Sequence, residues 1–489
     1  MAPARRYESG TIITARKIGT LGRNFLEGSS TSDTIYGDSS GTRTSATTGG
    51  DTIHGYSGAD YLYGDARTLR LTARGGADTL WAGADGDTVY GDAYSMSYSA
   101  RGGADRIWGE YGYDKLYGDA RTMSGSARGG ADKLYGGYDN DMLFGDAYTM
   151  SSNALGGSDS LYGEGDSDSL YGDAHKLTGS ARGGADHLSG GNHEDRLYGD
   201  SYSLAARAVG GADTLSGDSG EDTLYGDARS LINSAAGGAD ILKGGSSEDA
   251  LYGDGYSMRE FAVGGADKLY GGSGSDHLYG DAHTMSDSAV GGADYLSGES
   301  GNNLLYGDAF SMFGGSVGGN DSLYGSTGKD TLYGDAVSLN DQSRGGHDYL
   351  NGSSGNDILY GDAQVTSASA AYGNDTLYGG SGNDRLIGDS SYGGTGADYL
   401  NGGSGNDTLD GGGGRDLFAF DLSSGRDTIQ YFQPGEDQID LRAYRFSSFE
   451  ALNIADRTGY SVVFLSGTGH YIKLEKVMKA QLSAADFIL

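Results

Sequence analysis

A Gly-Asp dipeptide, almost always inside a Leu-Tyr-Gly-Asp-Ala string or a close variant of it, returns along most of this chain. Its aspartates are Asp38, Asp65, Asp92, Asp119, Asp146, Asp173, Asp200, Asp227, Asp254, Asp281, Asp308, Asp335, Asp362 and Asp389, and every interval is 27 residues. Repetition without an insertion requires each unit to stack on the one before it in register, because a one-residue slip turns every later side chain to the wrong face. Length alone, at 489 residues, suggests about three ordinary domains. The period replaces that expectation with a single repeat array.

Each unit divides into three nine-residue segments, seen between Ala100 and Ser126. The first, through Gly102, Gly103, Asp105 and Ile107, is a glycine turn, an aspartate and an apolar residue. The second repeats that grammar through Gly112, Asp114 and Leu116. The third, from Gly118 to Ser126, keeps the opening glycine and loses the later glycine and aspartate. Glycine supplies the turn conformations, and the short stretch after each aspartate alternates between two faces like a strand. Ile107, Leu116 and Met123 are therefore expected to point inward, with Leu134, Leu143 and Met150 beneath them. The tyrosine row Tyr63, Tyr90, Tyr117, Tyr171, Tyr198, Tyr225, Tyr252, Tyr279, Tyr306, Tyr333 and Tyr360 is expected to stack on the outside.

Composition removes several classes. There are 92 glycines but 2 prolines, which fits neither collagen nor a proline-rich linker. A net charge of −34 repels nucleic acid and anionic lipid, so no nucleic-acid partner is expected. With 37 tyrosines and a regularly placed leucine, the chain is too apolar for a disordered polyanion. Cysteine is absent, so disulfides are not the staples. No stretch has the apolar length of a transmembrane segment, and residues 1–23 lack the apolar core of a conventional signal peptide.

The acid is placed with the same regularity. First-segment aspartates are Asp51, Asp78, Asp105, Asp132, Asp159, Asp186, Asp213, Asp240, Asp267, Asp294, Asp321, Asp348 and Asp375. Second-segment aspartates are Asp33, Asp60, Asp87, Asp114, Asp141, Asp168, Asp195, Asp222, Asp249, Asp276, Asp330, Asp357 and Asp384, with Asn303 standing where one is missing. Two further units without a third segment, Gly393–Asp398 and Gly402–Asp407, add Asp398 and Asp407. Stacked carboxylates repel unless a cation lies between layers. Ca2+ fits, because it accepts six to eight hard oxygens in flexible geometry and glycine turns such as Gly102, Gly103 and Gly112 can aim backbone carbonyls at it. Zn2+ wants His or Cys, and Mg2+ a stricter octahedron. The Asp119-type residues are open to two readings, a contribution to the site or a simple Asx turn; Asn303 should mark a weaker site.

The first two segments resemble the Gly-Gly-x-Gly-x-Asp-x-apolar-x nonapeptide of the RTX, or hemolysin-type calcium-binding, repeat family. That family closes a coil with two nonapeptides, so the third segment is expected to form either an added face or a side loop of a 27-residue coil. The expected fold is all-β: a calcium-binding parallel β-roll or β-solenoid of about 14 coils over residues 33–413. Residues 1–32, with Arg5, Arg6, Arg16, Lys17 and Arg23, read as an N-terminal leader or cap. Residues 414–489 resemble the C-terminal cap of serralysin-like, type I secreted RTX proteins, through Asp416-Leu417-Phe418-Ala419-Phe420 and Phe432-Gln433-Pro434-Gly435-Glu436-Asp437. Ser461–Leu465 and Tyr471–Leu474 read as sealing strands. The ending Asp486-Phe487-Ile488-Leu489 is similar to that family's export signal.

What this resemblance implies is an extracellular, secreted calcium-binding protein of structural or interaction type, in a matrix, surface-layer, adhesin or symbiosis-type role. Its implied partners are Ca2+ and the type I secretion machinery; a cell-surface or extracellular polymer and self-assembly stay open. No enzyme is expected. An RTX-type secreted enzyme module is the alternative, though the repeat leaves it no residues. An ice-binding solenoid using Thr122, Ser124 and Ser126 is another, weakened by Arg259, Phe261 and Phe313 in the same rows.

Overall fold

The computed structural model describes residues 15–390, 394–465 and 469–489; Arg5, Arg6 and Gly393 lie outside the described residues. The chain divides into two compact units, residues 1–176 and 177–489. Among the described residues there are strands and four short 3-10 helices but no α-helix. Gly and Asp every few residues prevent one from propagating.

In the first unit each coil carries three short strands, such as Arg106–Tyr111, Lys115–Tyr117 and Ala120–Met123. Each lies parallel to its equivalent one period away. Leu80 pairs with Ile107 and Ile107 with Leu134; Val89 with Leu116 and Leu116 with Leu143; Leu69 with Met96 and Met96 with Met123. The third segment is thus a third face with its own parallel sheet, not a side loop. Ile107, Leu116 and Met123 are buried, as are Leu134, Leu143 and Met150. Each such side chain contributes roughly 1.5–3 kcal/mol on leaving water.

The second unit repeats this pattern, with Leu215, Leu242 and Leu269 in one ladder and Leu224, Leu251 and Leu278 in the next. The step shortens once the third segment is lost: Thr376 pairs with Tyr399, and Tyr399 with Leu417. Parallel pairing nevertheless continues through Arg426–Gln430 and Gln438–Asp440. Three strands close that sheet. Asn453–Arg457, Tyr460–Phe464 and Tyr471–Glu475 run antiparallel, and the last of them pairs along Arg426–Gln430, covering an edge that would otherwise expose unpaired backbone. At the other end of the chain, Ala15–Ile18 pairs with Asp33–Tyr36 and Phe25–Ser29 with Thr52–Ser57, so residues before Asp33 already belong to the sheets.

The tyrosine row corrects the sequence expectation. These rings stack, with Tyr90 and Tyr117 centroids 4.9 Å apart, but all except the half-buried Tyr360 are buried, Tyr90 and Tyr117 at 2 % and 3 % exposed. The chain turns immediately after each ring, and the third-segment strand then sets another side chain against it, as Tyr94 meets Tyr90 edge-on at 5.9 Å. Neighbours in the stack cover both faces, so an outward-pointing ring ends in a closed corner.

Candidate calcium centres

Three rows of aspartate follow from this stacking. The first-segment row, Asp51 to Asp398, is at most 4 % exposed; the second-segment row, Asp33 to Asp407, at most 3 %; and the Asp38-to-Asp389 row at most 3 %. Burying a carboxylate requires a partner for each oxygen, and the backbone supplies only some. Asp78 N–H donates to Asp105 Oδ1 at 2.7 Å, and Asp105 N–H to Asp132 Oδ1 at 2.7 Å. In the second row Asp87 N–H donates to Asp114 Oδ1 at 2.7 Å, and Asp114 N–H to Asp141 Oδ1 at 2.8 Å. Each layer's Oδ1 is therefore tied to the backbone of the layer before.

The other oxygen is left over. Oδ2 of Asp78, Asp105 and Asp132, and of Asp87, Asp114 and Asp141, is buried without a hydrogen-bond partner; in the second unit so are those of Asp213, Asp240 and Asp267. Adjacent layers are about 4.8 Å apart. At an effective dielectric of about 20, two charges at that spacing repel by on the order of 3 kcal/mol.

Electrostatics respond accordingly. Burial, then Asp92, Asp132 and Asp78, pushes the Asp105 carboxyl well above the usual carboxylate range. Asp114 is pushed up to about 9 by burial, with Asp141 and Asp87 adding charge and the Asp87 N–H opposing. Such a carboxyl either holds a proton or faces a cation.

The surroundings fit a hard cation. The Gly136 carbonyl oxygen and Asp114 Oδ2 both border the space a side chain on Gly109 would fill; Gly118 O and Asp105 Oδ2 do the same around Gly91. A side chain on Gly102 would overlap the Asp119 carboxylate, and one on Gly103 the Gly76 carbonyl. Gly112, at φ 121°, turns where a side chain would strike the Asp85 backbone. Among the described residues no three His, Cys, Asp or Glu side chains converge on one point. A cation would therefore take carboxylate oxygens singly from successive layers and the remainder from backbone carbonyls, which is calcium's preference rather than zinc's.

The structure decides one row that the sequence left open and adds residues that the sequence did not single out. The Asp119-type row is as buried as the others and lies against the first: Asp92 Oδ2 accepts from Gly103 N–H at 3.1 Å, and Asp119 Oδ2 from Gly130 N–H at 3.0 Å. Its burial shows that it is more than a surface turn. The rows also run on beyond Asp407. Asp398 N–H donates to Asp416 Oδ1 at 3.1 Å, Asp416 N–H to Asp437 Oδ1 at 3.2 Å, and Asp407 N–H to Asp427 Oδ1 at 3.0 Å. The changed spacing hid these three, although each precedes an apolar-x-apolar stretch.

Asn303 sits in the second row with its neighbours' geometry. Its Oδ1 accepts from Asp276 N–H at 2.9 Å and its own N–H donates to Asp330 Oδ1 at 2.7 Å. The unpartnered atom here is the amide nitrogen, a donor that cannot ligate a cation. The terminal residues are folded in. Asp486 is buried and accepts from Gly435 N–H at 2.7 Å, while Phe487 and Ile488 pair with Ile439 and Asp440. Leu489 follows them.

Buried carboxylate rows on a glycine-turned parallel solenoid define a cation-binding repeat protein. Comparison with known families agrees: residues 18–40, 45–66, 70–93 and 99–120 match the RTX calcium-binding nonapeptide repeat, which with the buried aspartates implies Ca2+ binding. Residues 136–466 match the Peptidase M10 serralysin C-terminal family, and this chain belongs to it. No curated protein matches the chain. Among solved structures it is similar to the solution structure of the AlgE6R3 subunit from the Azotobacter vinelandii mannuronan C5-epimerase. That likeness has 30% identity over 24% of this chain and 74% of that one, with a TM-score of 0.21.

Proposed function

We propose that this protein is a secreted structural or interaction protein that folds on Ca2+ outside the cell, binds many ions between its layers, and performs no catalysis. The observation that carries the reading is the set of orphaned Oδ2 atoms, repeated layer after layer in each unit. Affinities of extracellular calcium modules, on the order of 10⁻⁴ to 10⁻³ M, would leave the chain loose inside the cell and set it outside. The terminal strand adds support. Folding buries Asp486 and Phe487, so an export machinery reading that end would have to meet it before calcium does.

The absence of catalysis is supported by where the described residues go, into coils and their closing strands. Co-expression with a type I exporter tests the transport half: the full chain is expected in the medium, and a chain lacking residues 486–489 in the cells. Equal export of both would remove the terminal residues from the account, and turnover in a hydrolase and epimerase screen of the calcium-loaded protein would overturn the non-catalytic half.

A further inference from the structure

Three neighbouring stretches, each a third segment with the glycine turn that follows it, concentrate arginine. Residues 66–77, 93–104 and 120–131 hold six arginines and no aspartate or glutamate, in a chain of net charge −34. Arg74, Arg101 and Arg128 form one row, Arg74 bridged to Arg101 and Arg101 to Arg128 in parallel register. All three are exposed, and none makes an ion pair among the described residues. Like charges on adjacent strands destabilise a sheet, so the row carries a cost.

The coil does not require arginine there. In the second unit the same row keeps arginine only singly, at Arg182 and Arg344, and between them holds Val209, Ala236, Val263, Val290 and Val317. Nor do the buried aspartates beneath lean on it, since Asp92, Asp105 and Asp119 respond chiefly to burial and to one another. Beside the arginines run the hydroxyls of Thr72, Ser99 and Ser126, and the six side chains line a groove of about 270 Å3. A larger groove on the same segments, about 520 Å3, is lined by Thr68, Ser95 and Thr122. On its flank Arg70 lies 5.1 Å over the Tyr98 ring.

We propose that this arginine and hydroxyl face binds a linear acidic polysaccharide with one carboxylate per sugar. The chain would lie along the stacking direction, its carboxylates on the guanidinium row and its hydroxyls on the Ser/Thr rows. Guanidinium forks match carboxylates two bonds at a time. Layers recur every 4.8 Å or so, similar to the length of one sugar residue in an extended chain. A single-stranded nucleic acid would instead need a row of exposed ring faces for its bases, which these grooves lack. The proposal rests on the calcium-folded reading above.

Calorimetric titration of the full calcium-loaded chain with oligogalacturonates too short to gel tests it, with circular dichroism recorded on the same samples so that failure to fold is distinguished from failure to bind. The folded protein is expected to bind, more weakly as salt rises. Arg74→Gln/Arg101→Gln/Arg128→Gln should weaken binding about tenfold or more while leaving the calcium midpoint in place. Should that triple variant lose its β signal, Arg74→Lys/Arg101→Lys/Arg128→Lys keeps the charge and removes the fork, and weakened binding is again expected. Three results would overturn the proposal: a folded wild type that ignores the oligomer; folded variants that bind as tightly as wild type, as they would if calcium bridged the sugar to acidic surface; or tighter binding of a single-stranded oligonucleotide.

Discussion

An aspartate whose Oδ1 takes a backbone N–H from the previous layer and whose Oδ2 takes nothing is half satisfied, and the unsatisfied half is where a ligand acts. Asp114→Asn separates the two roles, because an amide can keep the Oδ1 bond and loses the charge. Equilibrium dialysis should show fewer ions bound per chain than in wild type and a higher calcium midpoint, and unchanged values would remove Asp114 from the ligand set. Asn303→Asp should act in reverse, adding a carboxylate oxygen where a nitrogen now points. A lower midpoint or an added ion is the expected outcome, and loss of calcium affinity would contradict the geometry. The first two rows were legible in the sequence because glycine and aspartate share one period. The third row was ambiguous, since a Gly-Asp opening at Gly118-Asp119 has the same letters whether its carboxylate faces water or is sealed beneath the next turn.

At the level of the strand, each full coil buries three large inward side chains, such as Ile107, Leu116 and Met123, against their equivalents one layer away. Leu116→Ala should therefore cost about 2–5 kcal/mol in the calcium-loaded protein, the range for a fully buried leucine. Thermal unfolding in saturating Ca2+ measures it, and a loss under about 1 kcal/mol would mean that the ladders are not tightly packed. Strand identity and register could be read from period and alternation alone, as Leu80, Ile107 and Leu134 show. The fate of the tyrosines could not. Alternation correctly turned Tyr117 away from the leucine core, but whether that side is solvent or a corner depends on the bend at Gly118 and on the third strand beyond it. Those are matters of how faces meet, which one-dimensional spacing does not encode. The persistence of pairing to Asp427 and Asp437 was hidden for a related reason: with the third segment gone, only the contacts between layers reveal that the coil continues.

Across the whole molecule the acid rows make stability a function of both protons and calcium. In the metal-free fold, burial raises Asp60, Asp87 and Asp141 from 3.8 to about 7, so between those values the folded state holds protons that the unfolded state has released. Their contribution is full below the unfolded value and is lost as pH rises through about 7. In EDTA the chain should accordingly be more compact near pH 4 than near pH 8, to within about a unit, and light scattering across that range checks the direction. Calcium should substitute for those protons at the higher pH, with proton release on binding. The most direct measurement is far-UV circular dichroism at neutral pH during a Ca2+ titration followed by EDTA. The account predicts an expanded, strand-poor chain without the ion, a cooperative gain of β signal as it is added, and full reversal on chelation. A chelated sample that kept its β signal and its compact size would contradict it.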